Sequence, residues 1–137
     1  MSFLGFVQSL KGIRWWVDTI VFSGGEPLLN KNLGVMLTYA RDYGIKTIVA
    51  TNAQFLEGRL DSLIMDPPDK LIVAYEPPSK GFKDQSDNIR FLKEARVSGK
   101  PEIILRMVVT KKNVHKIDEF KKIANEIADS WDLKSLG

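Results

Sequence analysis

A few residues in this 137-residue chain are of a type and spacing that can do chemistry. The first group is Ser23-Gly24-Gly25-Glu26-Pro27. Adjacent glycines let a ligand approach the backbone with no Cβ in the way. Exposed carbonyls there, together with the Glu26 carboxylate, can accept hydrogen bonds from a cationic amino group. Pro27 suits the start of the next turn, where its missing N–H costs nothing. An isolated Gly-Gly pair is ordinary punctuation between strand and helix, whereas the whole string in this position points to a ligand. Thr51-Asn52 is the second group. It reads as a ligand contact at a strand end or as a strand turning into a loop, which Asn favours because it tolerates left-handed geometry. Arg106 is the only charge inside the apolar run Ile103–Val109. It has two readings: a contact for a ligand carboxylate, or half of a structural ion pair. His115, the only histidine, reads as a solvated residue at the start of a helix rather than a metal ligand.

Equally informative is the residue type that is missing. The chain has no cysteine, which excludes disulfides, thiolate zinc sites, cysteine-ligated iron–sulfur clusters and cysteine nucleophiles from this polypeptide. No Walker loop, dinucleotide fingerprint or Ser-His-Asp set is visible. Ser79-Lys80-Gly81-Phe82-Lys83 carries too little charge for a phosphate loop.

These residues must be positioned by regular elements. Four apolar runs, Thr19–Phe22, Lys46–Ala50, Lys70–Tyr75 and Ile103–Val109, lack clean polar alternation and so predict strands buried on both faces. Helical spacing links them. Leu33, Met36, Leu37 and Ala40 share a face that ends at Gly44, and Gly58 to Met65 predicts a short helix stopped by Pro67 and Pro68. Ile89, Leu92 and Ala95 predict a helix opened by Ser86 or Asp87. Ile117, Phe120, Ala124, Ile127 and Ala128 give the clearest amphipathic pattern, with Asn113 as candidate cap. Phe3, Phe6, Val7 and Leu10 predict a helix before the first strand, and Trp15 and Trp16 read as anchors in a core or interface. Strand starts recur at crossover spacing, so the expected fold is α/β: a helix followed by four parallel βα units, in one domain over residues 1–137.

With strand order following sequence, Thr19–Phe22 and Ile103–Val109 become the two edges. Neither carries the prolines or outward charges that usually protect an edge, so self-association or another chain is expected to cover them. Composition is that of an ordinary globular protein, 44% hydrophobic and 27% charged, and the net charge of +3 is spread along the chain. Such a mild, dispersed charge gives no nucleic-acid surface. No stretch is long and apolar enough to span a membrane, and the N-terminus does not read as a signal peptide, so a cytoplasmic setting is expected.

Ser23-Gly24-Gly25-Glu26-Pro27-Leu28-Leu29 resembles the second signature of radical S-adenosylmethionine (radical SAM) enzymes. In that family the Gly-Gly-Glu-Pro string binds the amino group of the S-adenosylmethionine methionyl part. Asp42 to Asn52 resembles the family's third strand, which commonly ends in Thr-Asn-Gly; Ala53 replaces the glycine here. Ile104-Leu105-Arg106-Met107-Val108-Val109 is similar to the next strand of the glycyl-radical-enzyme activases, whose arginine reaches toward the S-adenosylmethionine carboxylate. Those activases carry an Asp-x-Lys string where this chain has Tyr75 and Pro77. The similarity runs from about Trp16 to Ala128.

The resemblance implies a radical SAM-like partial (βα) barrel in which Gly24, Gly25, Glu26, Pro27, Thr51, Asn52 and Arg106 contact S-adenosylmethionine. It also implies a 4Fe-4S cluster, held in the family by a CxxxCxxC loop upstream of the Gly-Gly-Glu-Pro string. That loop is absent here, and its ligands have no substitute in this chain. The expected function is therefore a fragment or truncated form of a radical SAM enzyme, not catalytic alone. The other expectation is a non-catalytic scaffold or partner-binding α/β protein derived from such a domain.

Overall fold

The computed structural model describes residues 2–13 and 15–135. Met1 and Gly137, the ends of the expected 1–137 domain, lie outside the described residues. The elements run α1 (Phe3–Ile13), β1 (Thr19–Phe22), α2 (Leu33–Asp42), β2 (Lys46–Asn52), α3 (Leu60–Met65), β3 (Lys70–Ala74), α4 (Ser86–Ala95), β4 (Glu102–Val109), α5 (Ile117–Ile127) and β5 (Ser130–Ser135). Short 3-10 turns at Pro27–Leu29, Ala53–Phe55 and Val114–Lys116 lead from β1, β2 and β4 toward the helices.

The strands form one sheet in the order β1-β2-β3-β4-β5, every neighbouring pair parallel. Sequential order with parallel pairing requires a crossover at every step, and the right-handed preference puts each crossover helix on the same side. This is the arrangement of a barrel wall rather than of a doubly wound sheet.

The expected count of four strands is corrected to five. Ser130-Trp131-Asp132-Leu133-Lys134-Ser135 pairs with β4 through Ile104↔Ser130 to Val109↔Ser135. The strand over residues 102–109 is therefore interior, while β1 remains an edge as expected.

Burial on both faces is also corrected. Val49, Leu71, Val73, Ile103, Leu105 and Met107 are fully buried, but the residues alternating with them are only half-buried. One face packs on Leu37, Leu63, Ile89, Leu92, Phe120 and Ile127 of the helices, which form one continuous core with it. The opposite face, which carries Ile48, Ala50, Ile72, Ala74, Ile104 and Arg106, has no helix packed on it among the described residues. The side chain of each fully buried Leu, Ile or Phe contributes about 1.5–3 kcal/mol of transfer free energy. Stability is thus concentrated on the helix side.

Local signals act as read. Gly44 ends α2 at φ +73°. Its N–H donates to the Arg41 carbonyl at 2.8 Å and that of Ile45 to the Ala40 carbonyl at 3.0 Å, a Schellman motif that only a residue tolerant of positive φ completes cheaply. α1 packs Phe6 and Leu10 against Met36, Ala40 and Ile45, which makes a second, smaller core beside β1.

Two local expectations are corrected. Asn113 does not cap α5, because the turn Val114–Lys116 intervenes. Its buried side chain accepts from the Thr110 N–H at 2.7 Å and donates to the Val108 carbonyl at 2.9 Å and to the Glu76 carboxylate. Trp15 and Trp16 are 80% and 86% exposed, so neither is buried in a core, which leaves the interface reading of the pair as the expectation. The Trp16 N–H donates to the Ile13 carbonyl at 2.8 Å.

Candidate functional site

The Gly-Gly string lies at the carboxyl end of β1, where parallel α/β sheets place their ligands. Gly24 and Gly25 adopt φ +76° and +54°, so the chain reverses through the left-handed region at two successive residues. A Cβ at either would meet nothing within 4 Å. The glycines therefore serve the backbone conformation and leave the space above them open. Among the described residues no backbone N–H donates to the carbonyls of Ser23, Gly24 or Gly25.

Glu26 follows in extended conformation and caps the turn Pro27–Leu29, accepting from the Leu28 N–H at 3.2 Å. The same oxygen accepts from the Thr51 hydroxyl, and the other accepts from the Asn52 N–H at 3.3 Å. Three donors from two elements thus occupy most of this carboxylate's acceptor capacity. Pro27 is buried at the first position of its turn, as its ring geometry favours. Thr51 is buried, and Asn52 uses its side chain to cap the next turn through the Gln54 N–H at 3.1 Å. The structure therefore brings Gly24, Gly25, Glu26, Pro27, Thr51 and Asn52 together at adjacent strand ends.

Arg106 lies two strands further on, level with Asn52 through Ala74. Its guanidinium is held in a two-pronged pair by Asp132, Nε to one carboxylate oxygen at 2.8 Å and an Nη to the other at 2.9 Å. That pair keeps the Asp132 carboxyl below its usual range against the opposing effect of burial. The structural reading of Arg106 is thereby realised, with a partner on the strand that sequence reading omitted. Composition gave no signal for this partner, because Asp132 sits in a run with no apolar block.

Two concave spaces adjoin these residues. One, of about 440 Å³, runs along the free edge of β1 beneath α1 and reaches Gly24 and Glu26. The other, of about 690 Å³, opens at the carboxyl ends of β2, β3 and β4 and touches Asn52, Ala74, Glu76, Lys83 and Arg106. Tyr75 lies at the floor of the latter and donates to the Asp84 carboxylate at 2.7 Å. Burial first, then the Asp84 charge, raises the Tyr75 phenol above its usual value. Sequence reasoning saw Tyr75 only as a departure from an activase string and did not foresee this contact.

No group of three or more His, Cys, Asp or Glu side chains is placed to hold a metal ion among the described residues. With no thiolate in the sequence, the donor set does not fit a 4Fe-4S cluster. The open glycine turn, whose carbonyls accept no hydrogen bond from the described residues, does fit the ammonium group of an amino acid moiety such as that of S-adenosylmethionine.

An all-parallel sheet in sequential order, alternating with helices and carrying a Gly-Gly-Glu-Pro turn at the end of its first strand, has the α/β architecture of the (βα) barrel found in radical SAM enzymes. In sequence the chain is similar to radical SAM proteins, the glycyl-radical-enzyme activating enzymes among them, and it carries no CxxxCxxC motif. It is 28% identical over 122 residues to a Methanocaldococcus jannaschii protein described as a glycyl-radical enzyme activating enzyme, covering 85% of this chain and 48% of that one. It is 27% identical over 122 residues to a Sulfolobus acidocaldarius protein described as a GTP 3',8-cyclase, covering 83% of this chain and 39% of that one. Among solved structures, Streptococcus suis SuiB superposes with a TM-score of 0.73 at 19% identity, over 97% of this chain and 32% of that one. SuiB bound to S-adenosylmethionine gives a TM-score of 0.69 at 19% identity, over 87% and 30%. The chain thus spans about half or less of the length of the proteins it matches. No protein-family model matches it. No helix among the described residues is long and apolar enough to cross a membrane.

Proposed function

We propose that this chain is the S-adenosylmethionine-binding part of a radical SAM domain, with the cluster ligands supplied by further polypeptide. The observation that carries this reading is the Ser23–Gly25 turn, whose carbonyls accept no hydrogen bond from the described residues and whose position is fixed from behind by Glu26. The turn carbonyls take the methionyl ammonium group, and the free lone pair of the Glu26 oxygen bonded to Asn52 is available to the same group. Thr51 and Asn52 line the rim next to it. Arg106 reaches a ligand carboxylate only by giving up one prong of its Asp132 pair. When a complete site is assembled, S-adenosylmethionine supplies a sulfonium whose reductive cleavage begins radical chemistry; this chain's residues bind and orient it.

By resemblance the reaction class is hydrogen-atom abstraction of the activating-enzyme kind, with Tyr75 and Pro77 departing from the activase pattern. The test is calorimetric titration of S-adenosylmethionine into the purified chain, with Glu26→Ala as control. Weak binding that Glu26→Ala abolishes supports the reading. No heat above buffer, or equal heat from both proteins, overturns it. The β1 edge, unpaired among the described residues, favours a second reading, a partner-binding scaffold without turnover.

A further inference from the structure

Between α2 and α3 the helix layer opens into a cleft of about 400 Å³. Along that layer α1 packs on α2, α3 on α4 and α4 on α5, whereas α2 and α3 meet less closely. The reason is the shortness of α3, six residues against ten in α2. Each of the two helices is packed by another on its far side, so the cleft lies within the layer and not at an end of it. Its size falls in the lower part of the range of small-molecule pockets.

Two cations line one end of the cleft. Arg59 is placed by a tight turn, its N–H donating to the Leu56 carbonyl at 2.9 Å across Gly58 at φ +79°. Its Nε donates to the Leu28 carbonyl at 2.9 Å. A guanidinium is planar and rigid, so fixing Nε also fixes the attitude of the whole fork. The remaining N–H groups of that fork meet no acceptor among the described residues. Nearby in the chain, Glu57 is taken by Lys83 at 2.8 Å, and Asp61 does not line the cleft. Lys31 follows the turn that Arg59 holds, and its ammonium group has no acidic partner among the described residues.

The other end is occupied by the chain itself. The Asp66 carboxylate accepts from the Thr38 hydroxyl at 3.4 Å and lies over Gly34, where a Cβ would come within 3.3 Å of it. Between the two ends the walls are apolar, with Leu29 and Val35 exposed and Leu37 and Leu63 buried.

We propose that this cleft binds an oxyanion that carries a short apolar chain, a carboxylate or a phosphate monoester. The Arg59 fork takes two oxygens side by side, and Lys31 supplies the second positive charge. The apolar chain lies along Leu29, Val35 and Leu37. Asp66 sets the direction, because its negative charge at the far end keeps the ligand head beside Arg59. The cleft belongs to the helix side of the sheet, so this binding does not depend on S-adenosylmethionine.

The test follows the Arg59 Nε–H and Gly34 amide resonances of isotope-labelled protein by nuclear magnetic resonance. Sodium hexanoate, hexyl phosphate and neutral hexanol are titrated separately at constant ionic strength. Saturable shifts at both positions are expected with an anion, with hexanol bound far more weakly. The tighter of the two anions identifies the headgroup. Read at Gly34, Arg59→Gln should weaken that anion by about tenfold. Lys31→Gln, which removes no printed contact of the folded chain, should weaken it by about threefold. Lys111→Gln, on the loop after β4, should leave the affinity unchanged. No saturable shift with either anion up to its solubility overturns the proposal. So does hexanol bound as tightly as hexanoate, or an affinity that neither Arg59→Gln nor Lys31→Gln alters.

Discussion

The Thr51 hydroxyl donates to the carboxylate of Glu26, 25 residues earlier in the chain, and so fastens the glycine turn after β1 to the end of β2. The Asn52 N–H adds a second tie at 3.3 Å to the other oxygen. Glu26 therefore acts on the turn from behind, as a brace that holds two left-handed glycines in a fixed attitude. A carboxylate so committed is a positioning residue first and a ligand acceptor second.

Removing that brace should be measurable without any ligand. Glu26→Ala strips the cap from Leu28 and leaves the buried Thr51 hydroxyl and the exposed Asn52 N–H without this acceptor, a loss of about 1–2 kcal/mol. Thr51→Val should cost less, and the double variant little more than Glu26→Ala alone. Urea midpoints of the three proteins check this; additive losses would show that the two side chains act separately.

The glycines should resist substitution for a conformational reason alone. Gly25→Ala meets no atom within 4 Å, yet it forces an L residue to φ +54°. The expected cost is about 1–2 kcal/mol in unfolding free energy. Gly25→Asn, whose side chain tolerates that region, should recover a good part of it. Equal losses for Ala and Asn would point to a steric origin instead.

Arg106 and Asp132 should behave as one unit. Both are partly exposed, with side chains 34% and 45% accessible, so solvent screens the pair. A double-mutant cycle with Arg106→Ala and Asp132→Ala should return a coupling of about 0.5–1 kcal/mol that shrinks in high salt. A coupling near zero at low salt would mean the two-pronged geometry is not maintained in solution.

Acid should loosen the fold through its paired aspartates. Arg96 holds the Asp129 carboxyl below its usual 3.8 against the opposing effect of burial, with help from the Ile103 N–H at 2.8 Å. A carboxyl depressed in the folded state stabilises fully above its unfolded value and loses that contribution as pH falls toward the folded one. The denaturant midpoint should therefore stay level from about pH 7 to 5 and drop below about pH 4. In Asp129→Asn the drop should be shallower from a lower starting point. Parallel curves for the two proteins would assign acid sensitivity elsewhere.

How far the sequence could be read follows from what each element buries. The runs that became β1 to β4 are legible because their alternate side chains are packed under helices, and the rest are apolar as well. Val49 and Ile48, for example, differ in burial but not in type. That same uniformity misled the reading into burial on both faces. β5 escaped because Ser130, Asp132 and Lys134 alternate with Trp131 and Leu133, the pattern of an edge strand with one open side. Arg106 could not be assigned a partner while the strand that carries Asp132 was missing. Glu26 and Thr51 were both placed at neighbouring strand ends. Their mutual bond was invisible because a carboxylate next to glycines looks the same whether its donors come from a ligand or from the chain.

From β2 onward the odd-numbered strand residues face the helices and the even-numbered ones face away. The polypeptide therefore keeps two nearly separate ledgers of amino-acid choice on the same strands. Substitutions at positions such as 48, 50, 72 and 104 can vary the character of the uncovered surface while leaving the packed layer intact. Substitutions at 49, 71, 103 and 105 alter folding while barely touching what that surface presents. A wall constructed this way can change its chemistry by single steps without passing through unfolded intermediates.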